Sequence, residues 1–428
     1  MPAPAPTVAS APGPAPAGIA LAADAVRTDA QMDFTAGTIA EVQLANGMIP
    51  WFPGGHADPW NHVEAAMALA VAGYRVEAEA AYEWLRSTQH ADGSWCTYYR
   101  ESGIEEARRD TNVSAYVATG TWHHFLVTGD VGFLDTMYSS VVEPALEFCL
   151  GLQQPGGEVL WALEADGIPG RFALLTGSSS LYLSLRCAMA AAERLGRERP
   201  DWELAAGRLG HAVGCRGEAF APKHRWAMDW YYPVLTGVVT GLAARERLWA
   251  RWDDFVMEGL GVRCVSDQPW VTAAETAECA MALQAAGMSC EAHRVLAWAH
   301  QLRDVDGSYW TGCVHPQEVH FPAGERSTYS AAAVILAADC LRGTGPAAGL
   351  FGGRGLPVGL DLSVPAGSAV HRSVPAGSVP AGSVPAGSVP AGSAVHRSVP
   401  AGSAVHRSVP AGSAVHRSVP QRHPAQHP

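Results

Sequence analysis

Gln89-His-Ala-Asp-Gly93-Ser-Trp95 is one of four stretches in which a glutamine, a short polar run, a glycine and a tryptophan follow in the same order. The others are Gln43-Leu-Ala-Asn-Gly47-Met-Ile-Pro-Trp51, Gln154-Pro-Gly-Gly157-Glu-Val-Leu-Trp161 and Gln301-Leu-Arg-Asp-Val-Asp-Gly307-Ser-Tyr-Trp310. Each closes a segment with helical spacing, so each marks one corner of a repeated helical hairpin. Such a unit cannot bury its apolar face alone and has to pack against its neighbours.

Working outward from these corners, two kinds of helix alternate. One kind is amphipathic with charged positions, as in Val76 to Ser87 or Cys290 to Arg303, so that one side meets water. The other is rich in Ala, Gly and Ser and almost free of charge after its first turn. Glu64 to Ala72, Val113 to Val127, Leu181 to Ala192, Pro233 to Ala244, Thr276 to Ala286 and Ser330 to Leu341 are of this kind. A helix that is apolar all round is buried, and small residues let such helices pack closely. Six of each in strict alternation from Asp33 to Leu341 predict an all-α fold, an (α/α)6 barrel with an inner and an outer ring. A linear solenoid would not need every second helix buried all round.

Composition changes at both ends. Residues 1–30 form a Pro- and Ala-rich leader, and from 344 the chain turns to Gly and Pro. From Ser363 onward it consists of Ser-Val-Pro-Ala-Gly and Ser-Ala-Val-His-Arg pentads. Such segments bury too little apolar surface to offset chain entropy. The expected organisation is a disordered leader (1–30), a toroid (31–343) and a disordered low-complexity tail (344–428).

The net charge is −12, and the segment from Pro346 onward is itself positive, so the remainder is more acidic than the whole. That balance repels phosphate backbones and argues against a nucleic-acid partner. Nine cysteines without a C-x-x-C pair suit a reducing cytoplasm better than a disulfide framework. No secretory signal is expected, and no apolar stretch is long enough to span a bilayer.

The starts of the buried helices carry the candidate chemistry. They read His56-Ala-Asp58-Pro-Trp60-Asn-His62-Val-Glu64, Arg109-Asp110-Thr-Asn112, Ser178-Ser-Ser180, Asp229-Trp230-Tyr231-Tyr232, Trp270-Val-Thr272-Ala-Ala-Glu275 and Glu325-Arg-Ser-Thr328-Tyr329. In an α/α barrel these six starts converge at one mouth, a concave small-molecule site. Acid–base chemistry needs one carboxyl kept protonated and a partner kept ionised. Asp58, Asp110, Asp229 and Glu275 are therefore the candidate catalytic residues. Trp60, His62, Glu64, Asn112, Ser178, Trp230, Tyr231, Trp270 and Tyr329 are the candidate substrate contacts. Glu278, three residues beyond Glu275, shares its face. The bland alternatives are helix capping, which Asp and Ser favour anyway, and pairing with Arg109 or Arg326. His123-His124 reads as packing. Cys313, His315, Glu318 and His320 follow no common zinc spacing, so neither metal nor cofactor is expected. Phosphate-loop and nucleophile-elbow motifs are missing from the sequence.

The Gln…Asp-Gly-Ser-Trp copies, with Ala-Tyr-Glu-Trp-Leu-Arg-Ser-Thr before Gln89, resemble the Q-and-W repeats of the squalene cyclase and protein prenyltransferase superfamily. The resemblance spans about residues 33–343. It implies an α/α toroid and, as the leading expectation, a prenyltransferase- or terpenoid-cyclase-like transferase acting on an isoprenoid. The superfamily's D-x-D-D acid, its D-x-C zinc pair and the D-D-x-x-D diphosphate motif have no counterpart here. The same alternation of helices is similar to that of the six-hairpin glycosidases, which place carboxylates and tryptophans at the barrel mouth. That resemblance implies a glycan substrate cleaved between two carboxyl groups. A non-catalytic toroid binding a lipid or glycan is the third possibility.

Overall fold

A computed structural model describes residues 28–360, and helices make up most of the described chain. The outer helices are α1 (Asp29–Val42), α3 (Arg75–Thr88), α6 and α7 (Val131–Met137 and Glu143–Leu150, joined by a π-turn), α9 (Pro200–Cys215), α11 and α12 (Gly241–Ala250 and Trp252–Phe255) and α14 (Ser289–Ala299). The inner helices are α2 (Pro59–Val71), α4 and α5 (Thr111–Ala115 and Val117–Thr128), α8 (Leu175–Arg194), α10 (Ala227–Leu235), α13 (Ala273–Ala285) and α15 (Thr328–Arg342). Each inner helix packs on the next in that order, and α15 packs back on α2, so the inner ring is closed. The expected (α/α)6 barrel is the observed architecture. The expected leader falls almost wholly outside the described residues.

The repeat acts as a clamp at each corner. The glycine N–H donates to the carbonyl three residues earlier: Gly47 to Leu44, Gly93 to His90, Gly157 to Gln154 and Gly307 to Asp304. All four glycines have φ between +87° and +101°, a region that other residues rarely adopt. The glutamine amide then bridges to the neighbouring hairpin. Gln43 Nε2 donates to Gly47 O and to Glu77 O of α3, both at 2.9 Å. Gln89 does the same to Gly93 and Val141, again at 2.9 Å. At the first three corners a methyl group on the glycine would lie 2.0–2.3 Å from a carbonyl oxygen of the next outer helix.

At the third corner the clamp is Gln153, not Gln154, with its amide 3.0 Å from both Gly157 O and Ala205 O. Gln154 reaches only Leu152 O. At the fourth corner Arg303 takes the equivalent place, and Gln301 turns instead to Gly259 O. The clamp requires its amide four positions before the glycine, which is the spacing of Gln43–Gly47 and Gln89–Gly93. Thr35 Oγ1 of α1 donates to Gly307 O at 2.9 Å, so the fourth corner fastens the end of the barrel to its beginning.

Short strands decorate the loops that lead into the inner helices. β1 (Tyr98–Arg100) and β2 (Gly103–Glu106) form a hairpin, and β3 (Arg109–Asp110) pairs with β4 (Ala162–Leu163). A five-stranded antiparallel meander runs from β5 (Val256–Met257) through β6 (Gly261–Arg263), β7 (Trp270–Thr272) and β8 (Trp310–Val314) to β9 (Val319–Arg326). The Cys313–His320 stretch forms the β8–β9 hairpin, and His320 stacks on Trp310 at 4.3 Å.

The opposite end of the barrel is closed by chain that the sequence reading assigned to the tail. Leu350, Phe351 and Leu356 are buried. The buried guanidinium of Arg186 donates to Gly353 O, Leu356 O and Pro357 O at 2.7–2.9 Å. Gly352 N donates to Leu235 O at the end of α10. The folded body therefore continues beyond 343 to residue 360. The pentads lie outside the described residues.

Candidate active site

Asp58 precedes Pro59, the first residue of α2, and its extended backbone ends the preceding loop. Its carboxylate caps the helix: Oδ1 accepts from Trp60 N and Asn61 N at 2.9 and 3.0 Å. Oδ2 accepts from Trp51 Nε1 at 2.7 Å and Asn61 Nδ2 at 2.6 Å. Burial pushes this carboxyl up, and the four N–H donors oppose that by favouring its ionised form. Asp110 caps α4 in the same manner, but Asn112 N and Val113 N both bond to its Oδ1, leaving Oδ2 uncommitted among the described residues. Burial pushes Asp110 up to about 6, with the Asp58 charge contributing.

Glu275, in the first turn of α13, accepts a 2.5 Å hydrogen bond from the Thr272 hydroxyl. Burial raises its pKa. In the ring, α15 lies between α13 and α2. Its second residue, Tyr329, sits 4.9 Å from the Trp51 ring that holds Asp58. Burial and then the Glu275 charge raise the Tyr329 hydroxyl. Tyr329 thus meets Trp51, the ring that holds Asp58, while the Glu275 charge reaches its hydroxyl. Asp229, on α10, accepts from Thr176 Oγ1 at 2.7 Å, and burial raises it as well.

One helical turn deeper the same faces supply a second layer. Glu64 accepts from Tyr116 OH at 3.0 Å. Glu278 accepts from Tyr232 OH at 2.9 Å and from Tyr231 OH. Trp60 stacks on Tyr116 at 4.9 Å. Burial raises both glutamates, Glu278 to about 8, and the charge of Glu278 raises Glu64 further. Raised to about 8, the Glu278 carboxyl keeps its proton near neutrality and can donate as well as accept. Two polar atoms in the first turns of the inner helices are orphaned: Asn112 Oδ1 and Ser178 Oγ are buried without a hydrogen-bond partner among the described residues. An unpaired buried polar atom is costly and calls for a bound water or ligand.

The cations named as alternative partners stay away from these carboxyls. Arg109 pairs with Asp92 at 2.6 Å, and Arg326 with Asp304 and Asp306. The acids they pair with belong to corner turns. Arg247 approaches α10 but donates to the backbone oxygens of Asp229 and Trp230.

Two residues proposed as substrate contacts point elsewhere. His62 bridges Ile49 N and Ala81 O, joining α2 to a corner and to α3. Trp230 donates to Arg247 O and stacks on Phe255 at 5.1 Å, against the outer layer. Each residue along a helix turns by about 100°, so neighbours of an inward residue point away. Trp270 lies on β7 with Phe321 beside it at 5.8 Å. The sequence reading does not supply Tyr116, Tyr232 or the central place of Glu278. The available signal is spacing: 112 to 116, 229 to 232 and 275 to 278 each step one turn inward on one face. Among the described residues, no group of three His, Cys, Asp or Glu side chains could hold a metal ion.

No protein-family model matches the chain. A wild-type glycosidase superposes with a TM-score of 0.56 at 15% identity, covering 76% of this chain and 98% of that one. The GH63 mannosylglycerate hydrolase of Thermus thermophilus, in complex with Tris, gives 0.54 at 12% identity, covering 70% and 98%. A D-mannose isomerase gives 0.54 at 11% identity, covering 72% and 96%. These likenesses establish the toroid. In sequence, the chain is 52% identical over 336 residues to the MMP endo-(1,4)-3-O-methyl-alpha-D-mannosidase of Mycolicibacterium hassiacum, covering 78% of this chain and 93% of that protein. This overturns the prenyltransferase and squalene-cyclase reading, with the isoprenoid substrate and transferase activity it implied. The repeats encode corner geometry, which constrains the shape of a toroid and leaves its chemistry open. By that identity and coverage, the chain belongs to the family of this endo-mannosidase.

Proposed function

We propose that this protein is a glycoside hydrolase that cleaves internal (1,4) linkages in a chain of 3-O-methyl-α-D-mannose units. The observation that carries the reading is Glu275: a half-buried carboxyl, raised in pKa, held by one hydroxyl and paired with no cation among the described residues, at the mouth of the barrel. The family membership supports the substrate class.

In this reading Glu275 gives its proton to the glycosidic oxygen as the bond to the anomeric carbon breaks. Asp58, pinned by four N–H donors that favour its ionised form against burial, stabilises the positive charge that develops on the sugar. Asp110 takes the proton from the attacking water, whose oxygen bonds to the anomeric carbon. Its position near 6 suits a general base. Asp229, Asn112, Ser178 and the Glu64–Glu278 layer bind sugar hydroxyls. Trp60, Tyr231, Trp270 and Tyr329 supply apolar faces that suit a methylated sugar. A reducing compartment fits the nine cysteines, all free thiols.

The test is hydrolysis of a 3-O-methylated α-(1,4)-mannose oligosaccharide by the full chain. Glu275→Gln should lower turnover roughly 10²- to 10⁴-fold and recover on an aryl mannoside whose leaving group needs no proton. Asp110→Asn should lose both activities. Wild-type activity should fall as pH drops through about 6, where Asp110 becomes protonated. A wild-type protein inert on the oligosaccharide, or a Glu275→Gln variant of full activity, would sink the reading.

A further inference from the structure

Outside the mouth, a cleft of about 420 Å³ runs beneath α1, between that helix and the start of α15. Small residues line it on both sides, Gly37 on α1 and Ala331 on α15, and a methyl group on Gly37 would lie 3.5 Å from the Tyr74 hydroxyl. The segment around Pro50–Trp51, whose carbonyls accept from Thr328 Oγ1 and Thr328 N, ties this part of the wall to the loop leading to Asp58. None of the mouth carboxyls lines the cleft.

Its lining combines two aromatic rings with acids and one fixed cation. Phe34 is 52% exposed although it sits on a well-packed helix. It is held in place: Gly307 leaves room for its ring, and the Arg303 guanidinium lies 5.7 Å from its centroid. Tyr74 provides a second ring and a hydroxyl. Asp33 and Glu41 provide exposed carboxylates just over two turns apart on α1. Arg326, anchored by Asp304 and Asp306 and lying over Trp310 at 5.2 Å, provides donors in a fixed fork. Aromatic faces for the C–H side of a pyranose, with carboxylate acceptors and guanidinium donors for its hydroxyls, are the chemistry of sugar recognition. The volume is in the range of small-ligand sites.

We propose that this cleft is a second carbohydrate-binding site, which holds a sugar unit of the polymer remote from the bond being cleaved. The choice of ligand rests on the glycosidase reading above. An endo-acting enzyme on a long chain gains from a distant foothold, because the second contact is intramolecular and raises the effective concentration of polymer at the mouth.

The test is calorimetric titration of the full-length Glu275→Gln variant with a 3-O-methylated α-(1,4)-mannose tetrasaccharide. Two binding events per chain are expected. Adding Phe34→Ala and Glu41→Gln should weaken one of them roughly tenfold and leave the other unchanged. The same pair in the otherwise wild-type chain should raise KM for long polymer severalfold and leave tetrasaccharide turnover as it was. A single event per chain that is indifferent to the pair, or two events both indifferent to it, overturns the proposal. Hydrolysis by the wild type combined with a single indifferent event overturns the cleft alone. Absent hydrolysis with binding that depends on Phe34 overturns the catalytic reading and leaves the cleft standing. Neither hydrolysis nor binding overturns both.

Discussion

The two ends of the barrel treat charge in opposite ways. At the closed end Arg186 is buried, and its guanidinium is satisfied by three backbone carbonyls of the crossing segment. At the mouth Asp58, Asp110, Glu275, Glu64 and Glu278 are buried or half-buried, and hydroxyls and N–H groups are their main partners. Backbone carbonyls settle the arginine and leave it nothing further to do. Carboxyls raised by burial and left without cations lose stability for the fold, and such a cost persists where the groups act on something else. The contrast separates the part of the toroid that holds shape from the part that does chemistry.

Truncation puts the largest load on this contrast. A chain ending at 343 loses Leu350, Phe351 and Leu356 from the closed end, strips Arg186 of its three carbonyl partners and uncovers the apolar surface beneath the segment. Its stability should fall by on the order of 5 kcal/mol or more, read as a large drop in melting temperature. A chain ending at 360 should melt with the full protein. Equal melting of the two truncations would mean the closed end carries no stability.

The second test uses pH. His62 and His123 are buried and neutral, held down to about 4 and about 3 from 6.5, by burial in both cases. Below pH 6.5 the unfolded chain takes up protons that the folded chain refuses, so stability should decline as pH falls from about 6.5 toward 4. The loss is on the order of 3 kcal/mol per histidine. The mouth works in the other direction. Glu278 is raised to about 8, so its contribution is full at low pH and is lost as pH rises through 8. Chemical denaturation across pH 4–9 should show both arms, with Glu278→Gln flattening only the alkaline one. An unchanged alkaline arm would place the ionisation elsewhere.

The smallest effect concerns the corners. Gln153→Ala removes donors to Gly157 O and Ala205 O and should cost about 1–3 kcal/mol. Gln154→Ala should stay within about 0.5 kcal/mol of wild type. Reversed outcomes would restore the register read from the repeat by composition alone.

The ring was legible because its signals are local. Helical periodicity, a glycine at positive φ and a capping aspartate each depend on a few neighbouring residues, and the alternation of polar and apolar helices follows from them. The starts of the inner helices stood out for the same reason, as polar turns opening apolar helices. The register slip at Gln153, the strands of the mouth and the packed segment from 344 to 360 were hidden. Each is specified by a partner far away in the chain: Ala205 for the clamp, β7 for β8, Arg186 for the crossing segment.

By itself, the sequence determined a closed ring of helix pairs and the end of that ring where polar groups gather. Only the tertiary structure decided which of those groups face one another. It brought Glu64 and Glu278 within electrostatic reach, set Tyr329 against Trp51 and within reach of the Glu275 charge, and turned His62 and Trp230 away. The physical reason is geometric. Local rules fix the angle of a side chain about its own helix, whereas its environment is fixed by the other five helices that close around it.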